Sequence, residues 1–304
     1  MASLLIPLGL AFLMAAVGLE TRLAAFSALA RAPRAVLGGL VLQVVALPLL
    51  AAALARALDL APVHAVGLVL LAAAPGGVTA NFVTLMARGD VALSVVLTVV
   101  TSLLAPLTVP LWVGAAFGWF ADASVEVRLP LGPTVGAIFV TTVVPLLATS
   151  FLAERNPALA ERLRPAARRL SMLVFAAIVT AAILAQWSAL VLAWRTVGLA
   201  ALGFDLAGLA LVAIFAALAA IDRARAAALV LSTGLRNVAV ALTVAVTVLG
   251  RPDLAVAATV YVVVMNAVAL VFVAWSRRRL PDVKDGEGEP PLSGARTTAS
   301  ANRE

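Results

Sequence analysis

Apolar runs of about 20 residues, each long enough to cross a bilayer as a helix, recur through the whole chain. Nine fall in order, at 3–19, 35–55, 62–86, 91–119, 129–152, 170–192, 197–221, 226–249 and 254–275. They lack the strict polar/apolar alternation of a membrane barrel strand. Charged residues make up 12% of the chain, against about 25% in a soluble domain, and the mean hydropathy is +1.10. The expected fold is therefore all-α and polytopic, with about nine transmembrane helices over residues 1–276 and a disordered tail at 277–304. The tail changes character after Arg277-Arg278-Arg279 to a polar Gly, Pro, Ser and Glu mixture, a composition too poor in apolar residues to form a core.

Within lipid no water replaces a lost backbone hydrogen bond, so an interrupted helix persists only where it lines a cavity or is buried in protein. Two spans carry such interruptions. Pro75-Gly76-Gly77-Val78-Thr79-Ala80-Asn81 breaks the third, and Ser232-Thr233-Gly234-Leu235-Arg236-Asn237 breaks the eighth. Paired breaks in the two halves of a polytopic chain point to a binding site of the kind secondary transporters use.

The net charge of +7 does not indicate nucleic-acid binding, because the arginines sit mostly in the connections between spans. Arg22, Arg31 and Arg34, then Arg88, then Arg155, Arg162, Arg164, Arg168 and Arg169, then Arg223 and Arg225, and finally Arg277 to Arg279 with Lys284 alternate with single arginines at 56, 128, 195 and 251. By the positive-inside rule the N-terminus lies outside and the C-terminus in the cytoplasm of a cell membrane. The segment 154–169 has spacing suited to a surface amphipathic helix or to a solvated connector. The C-terminal arginine cluster is placed to meet anionic membrane lipid. The first span has no basic leader and no small-residue cleavage site and reads as a retained span.

Cysteine is absent and His64 is the single histidine, which removes thiolate, Fe–S and histidine-built metal chemistry together. No cofactor is expected, no obligatory protein partner is evident, and no acid, base and nucleophile cluster supports an enzyme. The candidate site instead comprises the hinges Pro75, Gly76, Gly77 and Gly234 and the half-helix N-termini near Val78, Thr79 and Asn237, whose free N–H groups favour an anion. Asn81 and Asn237 lie just past the breaks, where each can bind substrate or satisfy exposed backbone. Arg236 sits at membrane depth, where a guanidinium costs at least about 2.5–3.5 kcal/mol and demands a polar cavity or a partner. Asp205 is the acidic residue within a span that could pair with it. Ser94 and Thr98 share one face of the fourth span at i, i+4, and Gln43 is the polar residue of the second.

The run 74–81, continuing through Ala87-Arg88-Gly89-Asp90 to Ser94, Thr98 and Pro106, resembles the bile acid:sodium symporter family. Gly234 and Asn237 are similar to its second broken helix. The resemblance implies inverted repeats, two crossing broken helices, a core domain and a panel domain that moves against it, and nine spans as in the family's shorter form. It implies symport of small or amphipathic organic anions with two sodium ions. Asn81, Ser94 and Thr98 match ligands of the first sodium site, and Gln43 matches a side-chain ligand of the second.

The departures bear on coupling. Ala80 stands where the family has serine, Ser232 where it has the glutamate of the second break, and Arg236 where it has glutamine. Like charges about 4 Å apart repel by roughly 4 kcal/mol at an effective dielectric of about 20, so a guanidinium directed into the second site excludes Na⁺. The expected function is secondary transport of an organic anion, a small carboxylate or bile-acid-like molecule, by alternating access with reduced sodium dependence. The alternatives are a sodium symporter using Asn81, Ser94 and Thr98 alone, a proton-coupled exporter acting through Asp205, or a non-transporting membrane sensor.

Overall fold

A computed structural model describes residues 2–21, 26, 32–120 and 131–279. The tail from 280 onward, the acidic connection at 121–130 and most of the first basic connection lie outside the described residues. Among those described, the chain is almost entirely helical and carries no β-strand beyond one isolated bridge.

Six helices are long and apolar enough to cross a membrane, namely α2 (Pro33–Ala57), α5 (Val91–Phe120), α6 (Leu131–Arg155), α7 (Pro157–Ala185), α8 (Trp187–Leu218) and the span Pro252–Arg278, most of which is α11 (Ala255–Arg279). The first span is α1 (Ala2–Glu20). The third and eighth spans are each two short helices, α3 (Pro62–Ala73) with α4 (Val78–Met86), and α9 (Arg223–Gly234) with α10 (Val238–Val248). Six spans, the first helix and two broken pairs reproduce the expected arrangement.

Local chemistry sets the ends of these helices. Proline stands in the first turn of α2, α3 and α7, where its missing N–H costs nothing. Asp222 caps α9 by accepting from Arg225 N at 3.1 Å, and Asn156 caps α7 by accepting from Leu159 N at 3.1 Å. That second cap moves a boundary. The expected spans 170–192 and 197–221 fold as Pro157–Ala185 and Trp187–Leu218, with the turn at Gln186. Arg195 therefore lies within α8 on an exposed face instead of in a connection. A strong start signal at Asn156-Pro157 begins α7 inside the arginine-rich segment, so those arginines decorate its first turns.

The helices form two bundles. In one, α1 packs against α6 and α7; in the other, α5 packs against α3, α4 and α9, and α8 packs against α2, α9 and α11. Burial follows this division. In the first bundle most of α6 and α7 is exposed, whereas α3, α9 and α10 are enclosed. The deepest part of the second bundle holds the breaks.

Candidate functional site

The two breaks cross and satisfy each other. Gly77 N donates to Leu235 O at 2.6 Å, Asn237 N donates to Pro75 O at 2.8 Å, and Gly76 and Arg236 form an antiparallel bridge. Backbone groups that neither helix can use internally thus find partners at membrane depth, which lipid could not supply. The approach is close enough to require glycine. A side-chain carbon on Gly77 would lie 3.0 Å from both Arg236 O and Leu235 O.

Beside the crossing, a narrow cleft opens between the two bundles. Its walls are Leu13, Ala16 and Glu20 from α1, Arg168, Ser171, Met172 and Phe175 from α7, and Gly77, Val78, Thr79, Phe82, Arg236 and Asn237 from the crossing. The N-terminus of α4 faces this space, and the first N–H groups of a helix have no intrahelical partner. Asn237 Oδ1 accepts from Val240 N at 3.3 Å and so caps α10, while its Nδ2 lies 4.0 Å from Met14 Sδ of α1. One end of this side chain closes the broken backbone, and the other spans the bundles.

Two cleft residues escaped the sequence reading. Arg168 Nε donates to Glu20 Oε1 at 2.8 Å and its guanidinium lies over the Phe82 ring at 5.9 Å. The sequence places Arg168 in the connection ahead of a span beginning at 170, whereas the helix begins at Pro157. An Asn-Pro pair ahead of Arg164 and Arg168 was the available signal.

Asn81 does not line the cleft. It turns into the second bundle, where Oδ1 accepts from Ser94 Oγ at 2.8 Å and from Thr98 Oγ1 at 3.4 Å. All three side chains are buried, and Asn81 Nδ2 has no partner. The three oxygens form a neutral cluster of the kind hard cations take as ligands.

The second ion position is different. Among the described residues Arg236 is the largest fully buried side chain, 1% exposed. Its backbone borders the cleft, but the guanidinium points away: Nη1 donates to Gln43 Oε1 at 3.4 Å and Nη2 to Gln43 O at 3.4 Å and to Ala72 O. Gln43 Nε2 in turn donates to Ser232 Oγ at 3.5 Å. A π-helical turn over Leu42–Ala46 presents Gln43 here and leaves the Val44 carbonyl free to accept from Trp112 Nε1 at 2.7 Å. Gln43, which the resemblance assigns to a second sodium site, is thus engaged by a fixed cation.

The considered ion pair between Arg236 and Asp205 does not form. Asp205 lies within α8, 3% exposed, and Oδ1 is 3.0 Å from Tyr261 Oη instead. Tyr261, absent from the sequence reading, carries no motif that marks it within its apolar span.

Crossed broken helices in one bundle, a cleft against a second bundle and polar sites behind the crossing define a polytopic membrane carrier. The sequence pattern of the sodium bile acid symporter family matches residues 7–193, and the chain belongs to that family. It is similar to the probable sodium/metabolite cotransporter BASS1 of Arabidopsis thaliana chloroplasts, 27% identical over 273 residues that cover 90% of this chain and 67% of the relative. It is also similar to the uncharacterized sodium-dependent transporter YocS of Bacillus subtilis, 39% identical over 102 residues, 34% of this chain and 32% of that one. Human sodium/bile acid cotransporter 4 is 37% identical over 123 residues, 40% of this chain and 28% of its own length.

Proposed function

We propose that this protein carries small organic anions across the cell membrane by alternating access, with Arg236 standing where a second sodium ion would sit. The observation that carries the reading is the guanidinium held by Gln43 Oε1, Gln43 O and Ala72 O inside the second bundle. A buried guanidinium needs acceptors in just such an arrangement, and it supplies positive potential to the crossing without an ion that binds and leaves. The anion sits in the cleft against the α4 N-terminus, Thr79 and Asn237, with Arg168 at its mouth. The bundle of α1, α6 and α7 rocks against the other to exchange its exposure. With the N-terminus outside and the C-terminus cytoplasmic, the cleft at the Glu20 end of α1 opens toward the cytoplasm in this conformation.

Uptake of radiolabelled small carboxylates and sulfonates into liposomes, with and without a sodium gradient, tests the reading. Uptake persisting in sodium-free buffer is expected; strict sodium dependence would overturn it. A second reading, symport with one sodium ion, draws on the convergence of Asn81, Ser94 and Thr98. Under that reading Asn81→Ala removes a sodium response that the wild type shows.

A further inference from the structure

Behind the second break, the Tyr261 hydroxyl lies 2.7 Å from Gly234 O and 3.0 Å from Asp205 Oδ1. Both distances are hydrogen-bonded oxygen contacts, and each needs a hydrogen between its oxygens. A phenol carries one hydrogen, and a backbone carbonyl carries none. If the phenol hydrogen serves Gly234 O, the shorter contact, the hydrogen in the second must come from the carboxyl. Asp205 Oδ2, buried and without a partner, borders a small cavity with Leu209, Leu231, Leu235 and Met265.

We propose that Asp205 is a proton-binding site of the carrier, and that in this conformation it holds a proton on Oδ1 and donates it to Tyr261 Oη. The chain is then Asp205 Oδ1–H to Tyr261 Oη, and Tyr261 Oη–H to Gly234 O. Gly234 is the last residue of α9, and its carbonyl is one that the break leaves without a helical donor. When water in the cavity takes the proton, the O–H bond of the carboxyl breaks, hydronium leaves, and a carboxylate remains. The phenol hydrogen then turns to the carboxylate, and Gly234 O loses its donor. Occupancy by a proton thus holds the hinge of the second broken helix as seen here.

The surroundings leave few other groups to set this charge. From α11 the facing ionisable group is Tyr261, from the break it is Arg236, and from α2 and α9 the residues lining the two adjoining cavities are Leu47, Val230, Leu231 and Thr233, none of them charged. Arg236 is engaged by Gln43 and Ala72. An intramembrane carboxylic acid is the device proton-driven carriers use. The inference deepens the anion-carrier reading by naming a coupling ion, and rests on it only for the consequence in transport.

Infrared difference spectroscopy on the full-length protein in liposomes, from acidic to alkaline pH, reads the carboxyl directly. A neutral carboxylic-acid carbonyl band at neutral pH is expected in the wild type, absent in Asp205→Asn and displaced in Tyr261→Phe, which keeps the carboxyl but removes its acceptor. On alkalinisation that band should vanish together with a shift of the tyrosine ring mode. Carboxylate bands alone at neutral pH, or an acid band indifferent to both substitutions, would overturn the proton site. An acid band lost with no tyrosine shift would overturn its link to the hinge. Absence of anion uptake by vesicles that show the expected bands would count against the anion reading and leave the proton site standing.

Discussion

At the scale of single residues, the decisive exchange is between Ser232 and Arg236, which share Gln43 as a partner. Where the resemblance implies a carboxylate, the hydroxyl of Ser232 leaves this corner one negative charge fewer, and Arg236 adds a positive one. Each unit charge is worth roughly 4 kcal/mol at about 4 Å and an effective dielectric of 20, enough to decide whether a cation enters. The double substitution Ser232→Glu with Arg236→Gln should therefore create sodium-stimulated uptake, measured as a sodium titration of tracer influx. Arg236→Ala alone should abolish uptake by leaving the oxygens of Gln43 and Ala72 unpaired. Uptake unchanged in both variants would show that the guanidinium is a structural plug with no part in coupling.

At the scale of elements, the start of α7 shapes the cleft. Asn156 caps that helix, Pro157 fits its first position, and the resulting register turns Arg168 toward Glu20 and Arg164 Nε onto Leu19 O at 2.8 Å. One of the last carbonyls of α1 is thus satisfied by a side chain of the next helix but five. Asn156→Ala should lower stability by about 1 kcal/mol, the usual cost of a lost N-cap. A modest drop in the thermal midpoint of the solubilised protein, with anion binding retained, is the expected result. The crossing itself tolerates less. A methyl on Gly77 meets two backbone carbonyls that cannot swing aside, so Gly77→Ala should lose anion binding along with the fit of the breaks.

At the scale of the molecule, transport by rocking requires the bundle of α1, α6 and α7 to move against the breaks. The chain contains no cysteine, so a pair introduced at Ala16 and Phe82, on facing walls of the cleft, can be joined through reducible disulfides by a bifunctional methanethiosulfonate without competing sites. Cross-linking should stop uptake and reduction should restore it; full uptake in the linked protein would rule out motion of one bundle against the other.

What the sequence determined by itself was whatever depends on local composition: spans of apolar residues and the proline and glycine breaks. These are properties of a segment and its solvent, so they survive without knowledge of neighbours. Asn81, Ser94 and Thr98 were legible as a set because the resemblance placed them together, and the structure brings their oxygens within 3.4 Å. Only the tertiary structure decided the partners. Arg236 and Asp205 looked like each other's counter-ion because they are opposite charges in spans, yet the guanidinium took carbonyl and amide oxygens and the carboxyl took Tyr261. Those choices depend on which helix faces which, and in a nearly uniform apolar sequence many packings are compatible with the same spans. The physical reason is that lipid rewards every apolar surface alike, so the positions of a few buried polar atoms, not hydrophobicity, select the arrangement around the breaks.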